Sequence, residues 1–134
     1  MDDKVQAKFE TYPTKAKTQL LKIRSTTLEL AKKEKLGEVV ESLKWGEPSY
    51  QTKHGSTLRI DWKEKSPNSI SIYVNCKTKL IETYKELYPD TFHYIGQREI
   101  ALPISGPLPL RELKVCISLC LRYHKIKHLP LLGE

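Results

Sequence analysis

The stretch LKWGEPSYQTKHGSTLRIDW, residues 43–62, holds the point where the chain changes its hydrophobic period, and the fold follows from how that change is read. Upstream, GEVVESLKW reads as a short helix with Val39, Val40 and Leu43 facing inward. Trp45-Gly46 then closes it, because glycine ends helices by taking positive φ at no steric cost. Pro48 pushes the residue before it out of α geometry and opens an extended segment. Downstream the period is two. Leu58, Ile60 and Trp62 alternate with Thr57, Arg59, Asp61 and Lys63, and Ile70, Ile72 and Val74 alternate with Ser71, Tyr73 and Asn75. Such alternation marks strands with one buried and one wetter face, as in an antiparallel sheet. With KHGS and EKSPN as turns, residues 48–75 read as a three-stranded meander.

Towards the N-terminus, Val5, Phe9 and Tyr12 form a short amphipathic lead-in that stops at Tyr12-Pro13. Thr14 is the expected N-cap of one long helix, TKAKTQLLKIRSTTLELAKKEK. Towards the C-terminus, TKLIETYKELY is a helix that stops before Pro89, FHYIGQREIAL is a fourth strand, and a strongly apolar helix follows Pro109. The order predicts an α+β fold: a small antiparallel sheet of three strands plus a fourth, with the N- and C-terminal helices covering one face. The uncovered face would present Arg59, Asp61, Ser71, Tyr73 and Asn75, joined by Tyr50.

A chain of 134 residues, 39% hydrophobic and 29% charged, is long enough for a buried core and too apolar for disorder, so residues 1–134 read as one domain. No apolar run reaches the ~18 residues of a membrane span. The opening MDDKVQAKFETYP is charged from its second residue and has no signal-peptide core, which predicts a cytoplasmic protein. Three cysteines without a CxxC pair fit neither a disulfide framework nor a zinc ribbon.

The net charge of +7 is unevenly placed. Residues 1–35 hold nine Lys and Arg against five Asp and Glu, residues 106–134 hold five against two, and the middle balances nine against nine. Basic helix faces can attract nucleic acid or other anionic partners. These residues are scattered, however, and the simpler reading is a solvated surface.

The run Leu43-Lys44-Trp45-Gly46-Glu47-Pro48-Ser49-Tyr50 resembles the W/Y-G-x-P-x-F/Y signature of the YdhG-like family, bacterial domains of unknown function. TQLLKIRSTTLELA is similar to the family's L-x-x-L-R helix, ISIYVNC to its third strand, and LRELKVCISLCLRYHKIK to its closing helix with a tyrosine before a histidine. The resemblance covers nearly the whole chain and implies a frataxin-like fold. One branch of the family has been linked to iron delivery. A frataxin-type iron surface is an acidic ridge, because hard cations want carboxylate oxygens. The first long helix here is lysine-rich, with only Glu29 and Glu34 as acids, so iron binding is carried over to no residue.

Cys116, Cys120, His124 and His128 recur every four residues near the C-terminus. On one helix they would span roughly 18 Å, too far to converge on one metal. Arg111, Lys114, Ser118, Arg122 and Lys125 form a polar stripe opposite the two cysteines, which therefore point into the core. The histidines suit the helix C-terminus. No GxSxG, HExxH, GxxxxGK[ST] or GxGxxG spelling occurs. Cys76 beside Lys77 is the one candidate nucleophile, though a strand-end cysteine is more simply a packing residue. His54 reads as a solvated hairpin-tip residue.

No catalytic residue, metal ligand or cofactor is therefore assigned. The expected function is a binding or accessory module, with Trp45, Gly46, Pro48, Tyr50, Arg59 and Tyr73 as the candidate ligand-binding residues. A small ligand, a protein partner and a homodimer seam all fit such a face. Aromatics beside Arg59 could also stack the bases of single-stranded nucleic acid, a reading ranked lower for want of an RNP-like spelling.

Overall fold

The computed structural model describes every residue from Met1 to Glu134. The chain is α+β, with five α-helices and one six-stranded sheet that is antiparallel throughout. Helix α1 spans Asp3–Glu10 and is capped by the Asp2 carboxylate, which accepts from the Lys4 and Val5 amides at 2.9 and 3.0 Å. Helix α2, Thr14–Lys33, is not capped by Thr14. Pro13 holds the cap position and lends no side chain, so Thr14 is already helical. At the other end Lys35 takes a φ of 55°, and the Leu36 amide turns back to the Ala31 carbonyl at 2.9 Å, which stops the helix.

The segment expected to form a second helix is a strand. Strand β1, Val40–Lys44, pairs with β2, Glu47–Gln51, in a register running from Val40↔Gln51 to Lys44↔Glu47. A helix of about nine residues is marginal by itself, and an adjacent strand edge offers this segment a full ladder instead. Trp45 and Gly46 consequently form the two-residue loop of a hairpin, with φ of 52° and 77°. Positive φ at both positions is the type I′ pattern.

Strand β3, Leu58–Asp61, and strand β4, Ser69–Tyr73, complete a meander. Helix α3, Leu80–Leu87, follows. FHYIGQREIAL then proves to be two strands, β5 His93–Ile95 and β6 Glu99–Pro103, turning through Gly96. Strand β6 inserts beside β4, giving the order β1-β2-β3-β4-β6-β5. The sheet thus has six strands rather than three plus one.

The closing helix is α4, Leu110–Leu121, broken at Arg122 before the short α5, Tyr123–Ile126, and a final 3₁₀ turn, Pro130–Gly133. The β2–β3 loop supplies the end of α4. Thr52 Oγ1 donates to the Leu121 carbonyl at 2.6 Å, the Ser56 amide to the Cys120 carbonyl at 2.9 Å, and the His124 amide to the His54 carbonyl at 2.9 Å. The first two bonds satisfy carbonyls that a helix end leaves without partners, and the third runs the other way, from the chain just past α4 to the loop.

One cluster of 28 buried residues joins Val5 and Phe9 of α1, Leu20 and Ile23 of α2, Leu80 and Tyr84 of α3 and Leu113 and Ile117 of α4 to one face of the sheet, Leu58, Ile60, Ile70, Ile72, Ile100 and Leu102. Cys116 and Cys120 belong to this core. The helices lie on that face, and the other face carries no helix.

Candidate binding site on the open sheet face

Direct pairing fixes which side chains share the open face. Ser49, Arg59, Tyr73 and Glu99 stand opposite one another across β2, β3, β4 and β6, and Asp61, Ser71 and Ala101 form the next row. Glu47 joins them by the two-residue repeat of β2.

These polar groups are mostly paired and out of water. Glu47 and Asp61 are 6% and 4% exposed. Arg59 is ion-paired with Glu47, and Lys63 bridges both acids, at 2.7 Å to Glu47 Oε2 and 2.9 Å to Asp61 Oδ2. Tyr12, at the end of α1, donates its hydroxyl to Asp61 Oδ1 at 2.5 Å. Burial and then the Asp61 carboxylate raise the Tyr12 pKa far above that of a free phenol. For Lys63 burial works downward, but its hydrogen bonds to Glu47 and Asp61 outweigh that and raise its pKa.

Above this paired layer stand rings and unpaired cations. The Arg59 guanidinium lies 4.9 Å from the Trp45 ring centre and 5.4 Å from that of Tyr73, and Lys63 Nζ is 5.4 Å from Tyr73. Trp45 itself is 85% exposed, the most exposed large apolar side chain in the chain. Beside it opens a cleft of about 360 Å³, with Ser71 and Glu99 on its floor, Lys65 at one end and Arg98 at the other. A smaller cleft of about 190 Å³ adjoins it, sharing Trp45, Arg59 and Arg98 and reaching Lys44, Asn75 and Cys76. The Ser71 hydroxyl donates to Glu99 at 2.7 Å.

Of the six residues expected at the site, Trp45, Arg59 and Tyr73 come together here, and Gly46 supplies the turn that holds the indole out. Pro48 and Tyr50 do not belong. The alternation of β2 turns both to the helix-covered side, and Tyr50 is fully buried against Leu58. Its hydroxyl lies by the Arg24–Glu41 pair, and burial and then Glu41 raise its pKa. In that pair, burial raises the Glu41 pKa, but the hydrogen bonds from Arg24 and the Asp2 amide hold it below the usual carboxylate value. Glu47, Lys63, Lys65, Arg98 and Glu99 were not among the residues expected at the site. Glu47 and Lys63 could have been, since they continue the polar alternation on either side of Arg59. Arg98 could not, because it depends on β6 inserting beside β4.

No three His, Cys, Asp or Glu side chains lie close enough together to share an ion. His54, His124 and His128 are exposed. Cys76 is exposed at the edge of the smaller cleft, and no disulfide forms. No helix is long and apolar enough to cross a membrane. Comparisons with protein-family models, with curated proteins and with solved structures find no match.

Proposed function

We propose that this protein is a binding module, not a catalyst, and that its site is the open sheet face around Arg59 with the Trp45 indole as its contact platform. One observation carries the reading. Trp45 occupies the first position of a type I′ turn, where its φ of 52° costs about 1 kcal/mol for a residue with a Cβ and where asparagine or glycine is the stable choice. It also leaves almost its whole ring in water. Folding gains little from an indole there beyond the Arg59 contact, so the residue's value lies in what approaches from outside.

The choice of binding over catalysis rests on how the acids are committed. Glu47 is held by Arg59 and Lys63, and Asp61 by Tyr12 and Lys63, so neither is poised to move a proton. We further read the chain as a YdhG-like domain of frataxin-like architecture. The antiparallel sheet with its helices on one side supports this. The iron-delivery role of one branch is not adopted, since the lysine-rich α2 offers no acidic ridge.

Mapping nuclear magnetic resonance shift changes over a library of nucleotides, organic acids and peptides tests the proposal. At least one ligand should shift the amides flanking Trp45, Arg59 and Tyr73, and Trp45→Asn should abolish that response. Ligands that all map to other surfaces, or that bind Trp45→Asn as well as the natural chain, would refute it.

A further inference from the structure

We infer that the ligand of this face is single-stranded nucleic acid, an assignment that rests on the binding reading above and gives it a chemistry. The inner cations of the face are spent: Arg59 and Lys63 are neutralised by Glu47 and Asp61. The outer ones are not. Lys65 and Arg98 are exposed, ion-paired to nothing, and lie at opposite ends of the main cleft. Lys44, near the smaller cleft, makes only a 3.3 Å hydrogen bond to Gln51.

The spacing argues for a polymer. Lys65 belongs to the loop entering β4 at Ser69, and Arg98 precedes Glu99, which pairs with Tyr73 at the far end of β4. Four residue steps along a strand cover roughly 13 Å, more than one phosphate can bridge. A free nucleotide would satisfy one end and leave the other. A strand laid along β4 satisfies both, with Trp45, which lies against Arg59 and lines the same cleft, as a stacking surface. Stacking on an exposed ring suits every base and needs it splayed out of a helix, which selects single strands over duplex. A sheet face of this size accommodates about two or three bases, as RNA-binding sheets do. The surplus of positive charge on the chain as a whole adds long-range attraction. Trp45 also separates this ligand from an acidic peptide, which could use the cations but not the indole.

The test titrates fluorescently labelled U8 and dT8 into the full chain by anisotropy at several salt concentrations. An 8-base-pair duplex, uridine monophosphate and oligoglutamate serve as competitors. Both octamers should bind with similar affinity, because the groups on the face address phosphate and base rather than the sugar. Trp45→Asn, confirmed folded by circular dichroism, should weaken binding by about tenfold or more. Lys65→Ala and Arg98→Ala should each reduce the slope of log K against log salt by about 0.7. Competition by the duplex or the monophosphate at octamer concentrations would overturn the inference, as would oligoglutamate displacing the octamers while binding Trp45→Asn unchanged. Octamer binding that ignores Trp45→Asn would place nucleic acid on another basic surface and equally overturn it. Failure of both octamers to bind refutes this assignment alone. Loss, in Trp45→Asn, of a different ligand's resonance shifts would leave the binding-module reading standing.

Discussion

Trp45 and Tyr12 show two opposite uses of an aromatic residue. Trp45 is held in a strained turn with its ring in solvent, and only its contact with Arg59 repays it within the fold. Asparagine tolerates the same backbone, so Trp45→Asn should relieve about 1 kcal/mol of strain while losing a cation–π contact of about 0.5–1 kcal/mol. Urea unfolding should therefore find the variant as stable as the natural chain within about 0.5 kcal/mol. A loss above about 1.5 kcal/mol would mean that the indole is a structural part after all. Tyr12 is the reverse case, 7% exposed with its hydroxyl on a buried carboxylate. Phenylalanine there fills the same space but leaves Asp61 short of a donor. Tyr12→Phe should cost about 1.5–3 kcal/mol in the same assay, the range for a hydrogen bond to a charged group.

Among the elements, those fixed by a strong local period were legible, and those fixed by a distant partner were not. The alternation through Leu58–Asp61 and Ser69–Tyr73 gave β3 and β4, and the apolar spacing around Leu113–Leu121 gave α4 with both cysteines inward. The segment Val40–Lys44 carries too few residues to separate a helical from a strand pattern, and its pairing with β2 decides the matter. That single misreading put Trp45-Gly46 at a helix end rather than in a hairpin loop, and the register Tyr50↔Leu58 turns Tyr50 to the face opposite to the one expected. A two-residue loop with glycine second was the available signal. The end of α4 was equally hidden, because its partners come from the β2–β3 loop some 65 positions earlier: Thr52 and Leu121 are 69 residues apart. Gly55 lets that loop close. A Cβ on it would stand 2.6 Å from the Leu121 carbonyl oxygen and 2.5 Å from Thr52 Oγ1, and backbone cannot yield as a side-chain tip can. Gly55→Ala should destabilise the protein by about 1–3 kcal/mol, as overpacking does. It should also raise hydrogen exchange at the Ser56 and His124 amides. Unchanged exchange there would show that the loop is not what holds the helix end.

Taken whole, the molecule divides its ionisable groups between two layers. The open face pairs its inner charges, Arg59 and Lys63 with Glu47 and Asp61, whereas the helix-covered core holds thiols and a phenol that burial keeps neutral. Burial pushes Cys120 up to about 12 from an ordinary value near 9.0, and its thiol donates to the Ser56 carbonyl at 3.3 Å. Cys116 is raised in the same way, chiefly by burial and then by Cys120. Tyr84, whose hydroxyl donates to the Cys116 carbonyl at 2.6 Å, is likewise held well above its usual range by burial. The sign of the effect follows from counting protons. Below about pH 9 the thiols are protonated in both states and contribute no pH dependence. Above it the unfolded chain ionises while the folded core does not, so the folded state binds more protons and stability falls as pH rises. For Cys120 the loss runs from about pH 9.0 to about 12, at up to ~1.4 kcal/mol per pH unit. Guanidinium unfolding at pH 8.0, 9.5 and 10.5 should show the decline beginning between the first two values. Cys120→Ala, less stable at pH 8.0 because of its cavity, should lose stability more slowly thereafter, by nearly that amount per pH unit. Equal slopes in the two proteins would mean that Cys120 ionises without unfolding, and hence that the Thr52–Ser56 loop opens readily from the end of α4.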